Sequence, residues 1–452
     1  MNKGRWSGAG ILIVGLTMSA CAGRGESDNA KPADSSVAQA ASLKTNACPG
    51  DNAGITLPDG FCATVFADSI VHARHIVVAS NGDVYVTLEG AASPRMAAHS
   101  QGASFVALRD TTSDGRADIV KRIGTIGNTG IGIRDGYLYV DEGRQIVRYA
   151  RADSQLVPVK RTVVLGGLPL LPQHLARNFT FGQNGALYVN VGSGSNSCQK
   201  EDRHVESPGL DPCPELSHRA GIWAYAADKT NQKFSSAERF ATGLRNGMGL
   251  AVAADGKLFA TQHGRDQLGE HWPKLFPSAD YQAENPGEEL VQVNRGDDFG
   301  WPYCYYAMDQ KKLVDAPEYG GDGANDSRCT TKKAPIAAFP GHWAPMSLMF
   351  YTGTAFPERY RNGAFIAFHG SWNRAPRPQA GYRVVFQPLV NGAESGPYET
   401  FADGFAGSHK ENSQPDTAIH RPVGLATAPD GSIFVTDDAR GRIYRITYRV
   451  SH

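Results

Sequence analysis

From about residue 55 to 448 the apolar positions fall in short runs of three to six, β-branched or aromatic, each broken by a glycine-containing turn. Runs of that length between turn signals predict strands, because helices need longer 3.6-residue periodicity. Six segments repeat one figure: a turn Gly, one variable residue, then an apolar pair. They are Gly82-Asp-Val-Tyr85, Gly136-Tyr-Leu-Tyr139, Gly185-Ala-Leu-Tyr188, Gly256-Lys-Leu-Phe259, Gly363-Ala-Phe-Ile366 and Gly431-Ser-Ile-Phe434. Most copies carry Asn-Gly or Asp-Gly, a strong hairpin signal because both turn positions need positive φ. The segments before the turns are short and apolar, as in Val77-Val78-Ala79 and Leu250-Ala251-Val252. Further strands follow, such as Tyr382–Phe386.

The copies are 54, 49, 71, 107 and 68 residues apart. Sheet units of roughly 50 residues that cannot bury their faces alone predict radial stacking. The fold expected is all-β, a six-bladed β-propeller. Phe61–Phe66 and Ile443–Tyr448 share one blade and close the ring. The least regular stretch, about 265 to 345, reads as long loops over one face.

The N-terminus reads differently. Lys3 and Arg5 precede the apolar run Ile11–Leu16 and then Met18-Ser19-Ala20-Cys21. A basic start followed by a short apolar run is an export signal, too short to span a bilayer. Residues 1–20 are expected to be a lipoprotein-type signal peptide with Cys21 lipidated; plain cleavage after Ala20 is the alternative. Residues 21–47, rich in Ser, Ala, Asp and Asn, read as a disordered tether, and 48–452 as the catalytic propeller. The localisation implied is periplasmic, anchored to the outer membrane.

Composition narrows the function. Lys+Arg and Asp+Glu are both 45, so neither nucleic acid nor an anionic membrane surface is the expected main partner. With 41% hydrophobic and 20% charged residues the chain can bury a large core. Apart from Cys21 there are six cysteines, an even number that implies disulfides in an exported chain. Sequence proximity favours Cys48–Cys62, Cys198–Cys213 and Cys304–Cys329. The rival metal site lacks CxxC or paired His spacing.

Candidate chemistry recurs at fixed offsets from the turns. His174 lies eleven residues ahead of Gly185, and Arg245-Asn246 ten to eleven ahead of Gly256. His420-Arg421 lies ten to eleven ahead of Gly431, and Arg74-His75 seven to eight ahead of Gly82. His263-Gly264-Arg265 and His369-Gly370 follow their turns at a similar offset. Matching repeat positions converge on one end of a propeller channel, so a cationic central pocket is expected. Arg forks suit carboxylates or stacking on a flat ring, and a His suits proton removal from an alcohol. No GxGxxG after a strand, Walker loop, HExxH or GxSxG occurs. A flat polyanionic cofactor with an alcohol or sugar substrate matches these residues.

Three motifs in order then become specific: Gly243-Leu-Arg-Asn-Gly-Met-Gly-Leu250, Gln262-His-Gly264 and Gly296-Asp-Asp-Phe-Gly-Trp-Pro302. With them the chain resembles the soluble PQQ-dependent sugar dehydrogenases, from about 55 to 448. The Phe-His-Gly-Ser-Trp-Asn-Arg segment (368–374) is closest to the sorbosone and pyranose dehydrogenase branch. The resemblance implies an oxidoreductase using PQQ and calcium, transferring hydride from a sugar or sugar-derived aldehyde of the aldose or sorbosone type to PQQ. By it, His174 is the catalytic base, and Arg245 with Asn246 contacts PQQ near its reactive carbonyl. His263 and Gly264 also contact PQQ, and the Gly264 and Arg265 carbonyls hold calcium. Arg421 is one of two cofactor arginines. His369, Arg374 and Arg74 supply further cofactor charge, and His342 and Trp343 fall near a cofactor-lining segment. There are departures. Val423 stands where the glucose dehydrogenases place the second Arg, Gly370 near their Lys, and Arg265 where Pro is usual.

Other readings stand beside this one. A calcium-dependent lactonase would share the fold, as would a non-catalytic propeller binding a glycan or protein partner. Asp110–Asp118 has the acidic spacing of a calcium loop, but Lys121 replaces the closing Glu, so a solvated turn is expected. Glu288-Glu289 reads as surface charge rather than a glycosidase pair, since neighbouring strand residues face opposite ways. No CxxCH haem site is present, so the electron acceptor is expected to be separate, a quinone or cytochrome.

Overall fold

Five of the six turn glycines do what a hairpin asks of them. Gly82, Gly136, Gly185, Gly256 and Gly431 all lie at φ between 77° and 87°, where a Cβ would be strained. Gly363 differs: it is a strand residue, and a Cβ there would come within 2.3 Å of the Gln387 carbonyl. Its blade turns instead through residues 351–362, which include a short helical turn, Glu358–Arg361. Only Asp135-Gly136 has both turn residues at positive φ, so the expectation that both positions require it holds at one copy.

The structure, a computed structural model, describes residues 48, 50–90, 102–170, 172–409 and 412–449. The expected signal peptide, the tether and Cys21 lie outside the described residues. Among the described residues the strands form seven sheets, six of them antiparallel blades, with Gln232–Lys233 adding one parallel edge strand to the second blade. Blade 1 is Ala73–Val78, Val84–Leu88, Phe105–Arg109 and Ile119–Ile123; blade 2 is Ile131–Arg134, Tyr137–Asp141, Gln145–Ala152 and Gln155–Gly166. Blade 3 is Phe179–Phe181, Ala186–Val191, Gly221–Ala226 and Arg239–Thr242; blade 4 is Leu250–Val252, Leu258–Gln262, Glu288–Val293 and Ala337–Phe339. Blade 5 is Pro345–Phe350, Gly363–Phe368, Arg383–Val390 and Glu399–Ala402. Blade 6 takes Pro422–Thr427, Ile433–Asp437 and Ile443–Tyr448 from one end of the chain and Phe61–Ala67 from the other. Phe61 pairs with Tyr448 and Cys62 with Thr447, so the ring closes as the sequence predicts.

The first strands of successive blades touch one another around the axis. Between neighbouring blades lie separate apolar layers. One joins Phe434 and Ile443 of blade 6 to Val84 and Val86 of blade 1, and another joins Tyr85 and Phe105 to Leu138 and Val147. The largest surrounds Phe61, Tyr360, Phe365, Phe386 and Phe401, with rings edge to face at 4.8–5.5 Å. Truncating such a ring costs about 3–5 kcal/mol. On the axis Ala176, Met248, Met346 and Val423 form an apolar plug.

All three expected disulfides are present: Cys48–Cys62, Cys198–Cys213 and Cys304–Cys329. Cys304, Cys329 and Asp315 lie together, but the two sulfurs are bonded to each other. The irregular stretch from 265 to 345 is interrupted by two strands of blade 4 and an extra hairpin, Cys304–Ala307 with Lys312–Asp315. Asp110 and Asp118 accept hydrogen bonds from their own loop, at Gly115, Thr111 and Thr112, as a solvated turn does.

Candidate active site

Because the glycine turns sit at one end of the blades, the residues seven to eleven positions away from them sit at the other. That end is the mouth. A cavity of about 890 Å³ opens there over Met248 and Met346 of the plug. Arg74, Glu89, Gln173, His174, Arg203, Asn246, Gln267 and Trp372 line it.

His174 comes from the segment between blades 2 and 3 and adopts φ 50°, uncommon for a side chain with a Cβ. Gly192 permits it, since a Cβ there would lie 2.6 Å from that of His174. Nδ1 sits 3.0 Å from both the carbonyl and the hydroxyl of Ser193. The carbonyl can only accept, so Nδ1 carries the proton, and Nε2 has no partner among the described residues. Burial, with the Arg245 charge adding to it, pushes the imidazole well below its ordinary 6.5. A neutral histidine with a free Nε2 on a cavity wall is a proton acceptor in waiting.

Arg245 lies beneath that wall rather than on it. It is 3% exposed, and its guanidinium donates to the Asn196 carbonyl, Asn196 Oδ1, the Gly264 carbonyl and Asp266. Asp266 also receives Arg203 at 2.8 Å and Asn373 at 3.1 Å. Burial alone would raise this carboxyl, but Arg245 and Arg203 overcome it and hold it well below the usual range. Asn246 reaches the cavity and meets His263 Nδ1 at 3.4 Å; His263 Nε2 in turn meets the Pro345 carbonyl at 2.9 Å. Burial lowers His263 to about 4.

The other wall repeats the scheme. Asp438 lies between His369 Nε2 and Arg74, 2.8 Å from each. Against the upward push of burial, His369 and Arg74 keep it ionised. Arg74 also approaches Glu89 at 3.4 Å. Arg421 donates to the carbonyls of His369 and Gly370, behind the cavity. The mouth is therefore not the purely cationic pocket expected, since Asp266, Asp438 and Glu89 balance much of the charge. Isolated buried cations would be too costly without such partners.

Two buried atoms lining the cavity have no partner: Arg74 Nε and Asn246 Oδ1. Arg74 and Arg203 supply the donors that a flat, polar, polyanionic ring such as PQQ needs above the apolar, polarisable methionine floor, while Asn246 Oδ1 can accept from a ring N–H or hydroxyl. Of the Gly264 and Arg265 carbonyls expected to hold calcium, the first does not fit the ion. The Gly264 oxygen already accepts Arg245 Nη1 at 2.8 Å, and a guanidinium opposes a dication there.

Of the expected cofactor residues only Arg74 and Asn246 line the cavity; Arg245, His263, Gly264, His369 and Arg421 do not, and three more are engaged elsewhere. Arg374 is tied to the carbonyls of Ala283 and Gly341 and to Glu284. His342 bonds the Gln282 carbonyl, and Trp343 packs on Phe368 and Tyr398 under Arg383. Val423 lies in the plug. Arg265 forms a buried ion pair with Glu318. Glu288 and Glu289 are buried, not surface charge. Glu288 accepts from the Gly264 and Ala344 amides, Glu289 from Gln262, and burial raises both to about 8. Sequence reasoning missed Arg203, Gln267, Asp266, Asp438 and Trp372. Asp266 directly follows His263-Gly264-Arg265, and Trp372 lies inside the 368–374 segment, so both carried a local signal.

A family model described as TrAA12-like matches residues 55–449. The chain belongs to the TrAA12-like family. Among curated proteins it is 33% identical over 269 residues to an uncharacterised protein of Borreliella burgdorferi, covering 59% of this chain and 58% of that one. It is 27% identical over 232 residues to the pyrroloquinoline quinone-dependent pyranose dehydrogenase of Coprinopsis cinerea, covering 45% of this chain and 30% of that one. The matches thus span less than two thirds of either relative. Among solved structures, the holo PQQ domain of Coprinopsis cinerea pyranose dehydrogenase superposes with a TM-score of 0.69 at 20% identity, over 87% of this chain and 97% of that one. A calcium structure of the Trichoderma reesei AA12 enzyme gives 0.70 at 20%, over 87% and 97%. These likenesses show that the TrAA12-like chain shares the propeller fold of those enzymes.

Proposed function

We propose that this TrAA12-like protein is a PQQ-dependent dehydrogenase that oxidises a sugar or sugar-derived aldehyde, of the aldose or sorbosone type, by hydride transfer. The observation that carries the reading is the free Nε2 of His174 on the same cavity as the unpartnered atoms of Arg74 and Asn246. The match to a pyranose dehydrogenase supports it. Arg74, Arg203 and Asn246 would hold the cofactor over Met248 and Met346. Bound PQQ supplies the two-electron acceptor.

His174 does the proton work. Its Nε2 takes the proton from the hydroxyl of an anomeric carbon or hydrated aldehyde as that carbon gives up hydride and becomes a carbonyl. The Ser193 carbonyl holds Nδ1–H, so the ring stays oriented while it charges. Such a base contributes about 10²–10⁴ in rate. Arg245 acts as a positioning residue. By bonding the Asn196 and Gly264 carbonyls and Asp266, it fixes the loops of blades 3 and 4 around His174. With the Gly264 oxygen committed in this way, the reading does without calcium at that carbonyl. Export and a lipid anchor on Cys21 belong to the same proposal, as does a separate electron acceptor.

The test is to load purified protein with PQQ and screen aldoses, pyranoses and aldehydes with a phenazine dye as acceptor. Substrate-dependent dye reduction is expected. Bound PQQ that no sugar or aldehyde reduces would overturn the reading, and lactone hydrolysis without PQQ would replace it with the lactonase.

A further inference from the structure

A second cavity of about 290 Å³ opens on the same face, separated from the first by Leu175, which lines both. Its walls include Ile126, Leu170 and Pro169. Ile126 is 44% and Leu170 62% exposed, unusual for large aliphatic side chains beside a polar mouth. At its lip the exposed Arg144 lines the cavity, its guanidinium without a partner among the described residues. In its wall lies Arg177, 1% exposed, whose Nη groups bond the carbonyls of His174, Ala176 and Pro169. Its Nε is buried without any partner. Leaving a buried donor unpaired is unfavourable, and a ligand carbonyl that reached it would relieve that cost.

The occupant is constrained by these features. Asp141 accepts the Arg177 backbone amide, burial still lowers the Arg177 guanidinium to about 10, and Glu142 is engaged by Arg161 and Tyr149. The aliphatic walls of Ile126, Pro169, Leu170 and Leu175 disfavour a sugar or a small hydrated anion. A flat neutral ring with carbonyl oxygens meets both the apolar walls and the arginine donors. We infer that this cavity binds a small quinone, the oxidant that regenerates the cofactor. The inference rests on the proposed PQQ chemistry. Two electrons and two protons leave the reduced cofactor, and both quinone carbonyls become hydroxyls. Leu175 lines both cavities, so the electron donor and the quinone would be held against the same residue.

The experiment is equilibrium dialysis of ubiquinone-1 against protein prepared without PQQ, for wild type, Leu170→Asp and Arg144→Gln. Both positions are exposed, so both variants keep the fold. One quinone per chain is expected in the wild type. Placing a charge on the apolar wall in Leu170→Asp should weaken binding by about tenfold or more. Arg144→Gln should weaken it by about threefold. In PQQ-loaded protein the KM for ubiquinone-1 should rise by the same factors while turnover with a phenazine dye is unchanged. Absence of binding to the wild type, or Leu170→Asp binding within about twofold of wild type, would overturn the inference. Failure of every sugar to reduce any acceptor would sink the dehydrogenase reading instead, and would leave the dialysis result standing.

Discussion

His174 and His369 are two histidines of one mouth with opposite commitments. His174 gives Nδ1 to a neutral carbonyl and keeps Nε2 bare on the cavity wall, whereas His369 gives Nε2 to Asp438, which it shares with Arg74. Burial lowers both, with a neighbouring arginine adding to it in each case. The difference lies in the partner. A carbonyl orients an imidazole and leaves the second nitrogen free for chemistry; a carboxylate held between a histidine and an arginine builds a wall.

The largest effect should come from breaking the free side. His174→Ala should lower turnover by about 10²–10⁴ while PQQ still binds, and His369→Ala should lower it by less than about tenfold. Stopped-flow reduction of the bound cofactor distinguishes the two. Equal losses would abolish the asymmetry.

Next in size is Asp266→Asn. Removing this carboxylate leaves Arg245 and Arg203 without their anion, and breaking a buried pair in this way costs about 3–5 kcal/mol. A lower melting temperature is expected, with turnover reduced because the Asn196 and Gly264 loops loosen. An unchanged melting temperature would show that the carboxylate does not hold this wall.

A smaller effect is the pH profile. The base works when neutral, and its acidity is shifted well below 6.5, so kcat/KM should stay level from pH 8 to 6 and fall only in more acid solution. An inflection at the ordinary histidine value would place the base elsewhere.

The smallest effect concerns the carboxyls without cations. Burial raises Glu289 to about 8, and among the described residues its side-chain partner is Gln262. The folded state therefore keeps a proton that the unfolded chain releases near 4.5, so this contribution to stability is present in acid and lost as pH rises toward 8. Glu289→Gln should flatten the fall in melting temperature between pH 5 and 9. The ionised Asp266 and Asp438 contribute no such fall, because their cations lower them instead.

Much of the scaffold was legible because its signals are local. Five glycines must turn at positive φ, and each disulfide spans 14, 15 or 25 residues, so proximity alone finds them. Ring closure could be read from two apolar runs at the ends of the chain. The chemistry of the mouth was half legible. The offset from the turns brings Arg74, His174 and Asn246 to one cavity, but it cannot show what each side chain bonds. The Arg74–Asp438 pair is separated by 364 residues and the His369–Asp438 pair by 69, so the carboxylates were invisible beside their cations. Arg374 and His342 looked alike in sequence to cavity residues. Main-chain carbonyls of the Ala279–Glu284 helix claim them instead.

The most direct measurement is a titration of the cofactor-free protein with PQQ, following quinone absorbance and melting temperature together. Saturation at one PQQ per chain is expected, with about 2.7 kcal/mol of added stability at a hundredfold excess over Kd, and the same behaviour in His174→Ala. Neither signal changing on addition of PQQ would contradict the assignment of the mouth as a quinone-holding site.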